Sequence, residues 1–209
     1  MKVVLWSLRS CSVLAAVLLL GCADREPPPP PPLPAYVRIA VVDALVGPGK
    51  SDGSAWDGAG AVPLDAVAGL SSALSRLDPR AAFLEAGAVV GKVGTSVIEP
   101  PDPQGTVDLF LGSQLLGRHT LGRKGQGDTF TPLWEGPPSW SRVPLSPAVH
   151  ISGELVDSDL TYNDPMGRFQ IGYDQIVAAL RAGQVHHVKV SDQTYRQVLF
   201  VGIEVWPVP

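Results

Sequence analysis

The chain has 209 residues, with 20 acidic side chains against 16 basic ones and a formal net charge of −4. That balance lacks the basic footprint that binding a phosphate backbone requires, which excludes nucleic acid as the natural partner. With 45% hydrophobic residues and only two cysteines, the chain can bury a core for one domain, but it cannot build a cysteine-rich zinc cluster or a disulfide framework.

Met1, Lys2 and Arg9 flank an apolar run over residues 13–20 that ends in Gly21-Cys22. A basic start, a short apolar stretch and a small residue before the cut predict an export signal over residues 1–21, too short for a membrane span. Leu19-Leu20-Gly21-Cys22 resembles the lipobox of bacterial lipoproteins. The resemblance implies cleavage before Cys22 and attachment of lipid, such as palmitate, to its sulfur. It places the chain in the bacterial cell envelope, anchored at the outer membrane or its periplasmic face. Removing the signal leaves 14 basic against 20 acidic side chains, which argues against a purely electrostatic grip on anionic lipid. Cys11 leaves with the signal, so no disulfide can form. Residues 22–35 then read as a lipidated N-terminus and tether: Pro27 to Pro32 favour an extended polyproline helix of about 3.1 Å per residue, a semi-rigid spacer.

The domain is expected over residues 36–209. Tyr36-Val37-Arg38-Ile39-Ala40-Val41-Val42-Asp43 alternates and is rich in β-branched residues, which predicts a first strand. Residues 47–58 are dense in glycine and aspartate and predict a loop. Gly49-Lys50-Ser51 within it is not a phosphate loop, because Ala44 stands where that motif needs glycine. Leu64, Val67, Leu70, Leu74 and Leu77 recur at helical spacing and Asp78-Pro79 restarts a second segment. This predicts one or two amphipathic helices with their apolar faces in the core. They lie in an insertion at about 44–101. Strands are expected at 106–111, 114–120, 129–134, 141–145 and 149–156, a short helix with a glycine stop at 173–183, and closing strands at 186–190 and 197–206. Eight short strands separated by glycine- and proline-rich turns predict an all-β, eight-stranded antiparallel β-sandwich with a partly helical insertion after the first strand.

The most informative stretch is Leu155-Val156-Asp157-Ser158-Asp159-Leu160-Thr161-Tyr162-Asn163-Asp164-Pro165-Met166-Gly167. In extended chain Asp157 and Asp159 project to one side, and Asp164 can return to them if 160–167 turns, as Asn163-Asp164-Pro165 and Gly167 favour. Three converging carboxylates repel one another, and calcium, which takes six to eight oxygens, would offset the repulsion. The alternative is a polar hairpin loop whose aspartates merely form turns.

The order of features resembles the C2 domain family of calcium- and phospholipid-binding β-sandwiches. Asp102-Pro103 looks like the end of that family's first calcium loop. Thr131-Pro132-Leu133-Trp134-Glu135 is similar to its Asn-Pro-x-Trp-Asn-Glu signature, and Asp157-Ser158-Asp159 with Asn163-Asp164-Pro165-Met166-Gly167 looks like its third loop. The resemblance implies that Asp102, Asp157, Asp159 and Asp164 are calcium ligands, with Asp57 as the missing first-loop aspartate and Asp52 in reserve. It also implies docking to phospholipid or adhesion to an envelope protein, with Trp56, Leu160, Tyr162 and Met166 as candidate membrane contacts. For Trp56 the alternative is that it pins the long first loop to the domain.

Nothing in the sequence assembles a catalytic site. His186 and His187 are adjacent and on a strand face opposite sides. His119 and His150 have no partner nearby in sequence for zinc, and there is no Gly-x-Ser-x-Gly elbow. No catalysis is expected.

Overall fold

The β-branched run at the start of the domain forms a longer strand than its alternation marks. β1 spans Tyr36–Val46 and fully buries Val37, Ile39, Val41, Leu45 and Val46. In the computed structural model, which describes residues 31–209 except 57–59, 95–98, 123–126, 160–161 and 192–196, residues Pro34–Pro209 pack as one unit. Three helices, α1 (Leu64–Leu74), α2 (Pro79–Gly94) and α3 (Tyr173–Ala182), accompany the strands. The remaining strands are β2 (Pro103–Leu111), β3 (Gln114–Leu121), β4 (Ser139–Pro144), β5 (Val149–Ser158), β6 (Asn163–Ile171), β7 (His186–Lys189) and β8 (Val198–Val208).

One sheet has the order β4-β1-β8-β7 and the other β3-β2-β5-β6, and every pairing is antiparallel. Ile39, Phe200 and Ile203 from the first sheet and Leu109, Ile151, Leu155 and Ile171 from the second are fully buried in one continuous core. The eight-stranded antiparallel sandwich with a helical insertion expected from the sequence is the fold. The connection that carries the helices runs from Gly47 to Asp102, because β1 continues to Val46.

One expected strand does not form and another takes its place. Residues 129–134 run beside β1 without becoming a ladder strand. The carbonyls of Phe130 and Pro132 accept β1 amides, and Leu133 makes a single bridge to Asp43. Pro132, having no N–H, cannot continue a ladder. The eighth strand is β6, over residues whose Asn-Asp-Pro and glycine read as a turn. It is an edge strand, where proline is tolerated. Met166 is the extra residue of a bulge, since Leu155 pairs Gly167 while Val156 pairs Pro165. Gly167 has φ 142°, a conformation that a side chain would oppose.

The helices form where expected, but with a different face inward. Leu64, Val67 and Leu77 are exposed, whereas Ala66 and Ala73 are buried and Leu70 and Leu74 half-buried. α1 packs on α2, and α2 in turn packs on β7. A helix resting on another helix needs only a narrow stripe of small residues inward. Three residues tie this hairpin to the sheet. Phe83 stacks on His187 with centroids 3.6 Å apart and meets Phe200 edge-on. His187 Nε2 lies 3.1 Å from Asp43 Oδ1, and the Lys189 ammonium donates to the Leu74 carbonyl near the end of α1. His186 and His187 are both half-buried, and burial pushes the His186 imidazole below its usual pKa. Phe83→Ala is expected to lower stability by about 2–3 kcal/mol, read by denaturant unfolding. Faster amide exchange over α1 and α2 should accompany it.

Candidate metal centre

At one end of the sandwich β5 and β6 place two aspartates opposite each other, Asp157 against Asp164, with Ser158 against Asn163 beyond them. Asp159 follows β5 directly. One carboxylate oxygen from each of Asp157, Asp159 and Asp164 lies within 4.8 Å of the others. Asp157 is fully buried, and the other two are half-buried. Like charges directly across a strand pair destabilise it, so this hairpin tip calls for a cation. Its donors are all hard carboxylate oxygens, suited to calcium or magnesium rather than zinc. Oxygens bound to one calcium ion at 2.3–2.6 Å are at most about 5 Å apart, and the cluster fits within that sphere.

Backbone hydrogen bonds fix the frame. The Asp102 amide donates to Asp157 Oδ1 at 2.7 Å, and the Ser158 amide to the Asp102 carbonyl at 3.1 Å. Asp102 thus positions Asp157. Its own Oδ1 accepts the Asp128 amide at 2.7 Å, and the oxygens within 4.8 Å of one another are those of Asp157, Asp159 and Asp164. The Asp102 carboxylate, expected from the resemblance as a further ligand, lies against the 127–129 segment through that bond. Gly127 makes room for it, because a Cβ there would lie 2.8 Å from Asp102 Oδ1.

A residue the sequence reading did not assign to the site sits in it. The Lys50 ammonium is 2.5 Å from Asp164 Oδ2. The bond to Asp164 holds its pKa above the usual lysine value against the opposing effect of burial, and the charges of Asp157 and Asp159 add to that. The loop that carries Lys50 is placed by a short relay of backbone bonds. The Gly47 amide donates to the Gln197 carbonyl at 2.6 Å, and the Gln197 amide to the Met166 carbonyl of β6 at 3.1 Å. Beyond Lys50 the chain turns through Gly53, at φ 86°, with Lys50 N–H to Ser54 O and Gly53 N–H to Lys50 O. In the sequence Lys50 stood out only within a failed phosphate-loop motif. The signal that could have found it is the need of three clustered aspartates for a counter-charge.

Of the remaining first-loop candidates, Asp57 lies outside the described residues, as do Leu160 and Cys22. Asp52, exposed in the same loop, is bonded to Ser54. Its Oδ1 accepts both the amide and the hydroxyl of Ser54, which hold its carboxyl below the ordinary aspartate pKa. Trp56 is 2% exposed and its indole N–H donates to the Gly47 carbonyl at 2.9 Å. It is therefore not a membrane contact, because burial and a satisfied N–H commit it to pinning the loop. Met166 is fully buried as well and offers nothing to a membrane. Tyr162, 81% exposed beside the cluster, remains available.

No family model matches the sequence, and no curated protein matches it. Among solved structures, the chain is similar to a C2 domain of a plant extended synaptotagmin 1, with 11% identity over 85% of this chain and 99% of that one and a TM-score of 0.41. It is similar to a C2 domain protein from Ramazzottius varieornatus, with 10% identity over 85% of this chain and 92% of that one and a TM-score of 0.42. It is also similar to the calcium-bound pair of C2 domains of extended synaptotagmin 2, with 14% identity over 83% of this chain and 46% of that one and a TM-score of 0.37.

Proposed function

We propose that this C2-like sandwich is a calcium-binding module, tethered through a lipidated Cys22 to a bacterial envelope membrane and used for adhesion to phospholipid. The observation that carries the reading is the cluster of Asp157, Asp159 and Asp164, whose oxygens fall within one calcium coordination sphere at a solvent-facing hairpin tip. Asp157 and Asp164 would hold the ion from opposite strands and Asp159 from the loop. When bound, the ion would supply positive charge to meet a lipid phosphate. The reading assigns no catalysis. None of the described helices is long and apolar enough to cross a membrane.

Calorimetric titration of the protein with calcium tests the reading: binding heat in the wild type should vanish in the Asp157→Asn, Asp159→Asn double variant. Tyr162, exposed at the same tip, would supply an aromatic at the interfacial depth that such side chains favour. Tyr162→Ala is expected to weaken calcium-dependent sedimentation with phosphatidylserine vesicles several-fold while leaving calcium binding in solution unchanged. Equal sedimentation of the two proteins would remove Tyr162 from the docking face.

The Lys50–Asp164 pair favours a second reading, in which the same fold acts without calcium as an envelope interaction module. In that case the titration shows no heat in the wild type.

A further inference from the structure

We infer that Lys50 is a tethered counter-ion that occupies the carboxylate cluster and competes with calcium for it, setting the affinity of the site from within the chain. The inference rests on the calcium reading and adds a regulator to it.

The geometry gives Lys50 the position of a bound cation. Its ammonium contacts Asp164 Oδ2 at 2.5 Å, close enough to Asp157 and Asp159 for their charges to act on it. It comes from a different part of the chain, 114 residues before Asp164, so it is delivered by the fold and not by the hairpin. The delivery is specific. Gly47 is bonded through Gln197 to the backbone of β6, and Trp56 closes the loop back on Gly47. Gly49 between them tolerates no side chain, because a Cβ there would lie 2.3 Å from Val62 and 2.5 Å from the Ser54 carbonyl. A loop anchored at both ends and tightened at its centre holds one lysine over the cluster.

The cluster charges that act on Lys50 are those of Asp157, Asp159 and Asp164, and the exposed Asp52 two residues on also feels the lysine's charge. With three carboxylates and one ammonium the cluster retains two negative charges, against three without the lysine. A divalent ion entering the wild-type site therefore meets less attraction and a resident cation, and Asp164 must give up its ion pair to coordinate fully. An ammonium offers only donors and cannot ligate a metal, so Lys50 opposes the ion and does not assist it. The pair is partly exposed, with side chains 30% and 35% accessible, so it can open without unfolding the sandwich.

The test uses the full chain as wild type, Lys50→Gln and Lys50→Arg, with two readouts on each: calcium affinity by calorimetry and melting temperature in chelator. Lys50→Gln is expected to bind calcium about tenfold more tightly than the wild type, while Lys50→Arg, which keeps the charge, stays near it. In chelator Lys50→Gln should melt below both, because its three carboxylates have lost their counter-ion, and calcium should reverse that order. Equal calcium affinity of wild type and Lys50→Gln overturns the inference and leaves the calcium site standing. An unchanged melting temperature of Lys50→Gln in chelator also overturns it. No calcium binding by either protein overturns the calcium reading and the competition together. Calcium binding by Lys50→Gln alone supports the inference and makes the wild-type domain calcium-independent.

Discussion

Millimolar calcium in place of chelator is expected to raise the melting temperature of the protein by roughly 5–10 °C, and Asp157→Asn with Asp159→Asn should abolish the rise. A ligand that binds only the folded state stabilises it by about 2.7 kcal/mol at a hundredfold excess over its dissociation constant. One kcal/mol moves the midpoint of a domain of about 150–250 residues by roughly 2–4 °C. The substitutions are chosen to spare the frame. Asp157 Oδ1 accepts the Asp102 amide at 2.7 Å, and asparagine keeps an oxygen there while losing the charge. Removing two of three clustered carboxylates also lowers their mutual repulsion, so the double variant should be no less stable than the wild type in chelator. A calcium shift that survives in the double variant would move the site elsewhere. Magnesium, which demands stricter octahedral geometry and gives up water reluctantly, should produce a smaller shift.

Trp56→Ala is expected to cost about 3–5 kcal/mol, a large share of the roughly 5–15 kcal/mol that a domain has in total. The side chain is 2% exposed within the core cluster and its indole N–H is bonded to the Gly47 carbonyl, so truncation opens a cavity and strands a carbonyl. Trp56→Phe keeps most of the apolar ring and loses the hydrogen bond, for about 1 kcal/mol. Thermal or urea unfolding measures both. Because Trp56 closes the loop that presents Lys50, Trp56→Ala should also loosen the Lys50–Asp164 pair, and its calcium affinity should move toward that of Lys50→Gln. A tryptophan acting at a membrane would behave in the opposite way, with stability unchanged and vesicle binding lost.

The sequence determined the class of the fold because that information is local. β-Branched alternation marked β1, β2, β5 and β8, and Gly183 at φ 61° ended α3 as a glycine stop does. The aspartate triad was legible for the same reason: Asp157, Asp159 and Asp164 lie close in sequence, and the pairing of β5 with β6 sets Asp157 opposite Asp164. Three things were decided only by tertiary structure. β6 hides its strand character behind Pro165 and Gly167, which an edge position and a bulge accommodate but which no local pattern distinguishes from a turn. Leu64, Val67 and Leu77 kept helical spacing yet face solvent, because the surface against which a helix packs is not written in its own period. Lys50 and Asp102 made contacts that their neighbours in sequence did not suggest. An aspartate beside a ligand cluster turned to cap a backbone amide, and a lysine in an unrelated loop supplied the cation. Charge pairing across the fold depends on which loops the sheets bring to one end, and only the packed sandwich sets that.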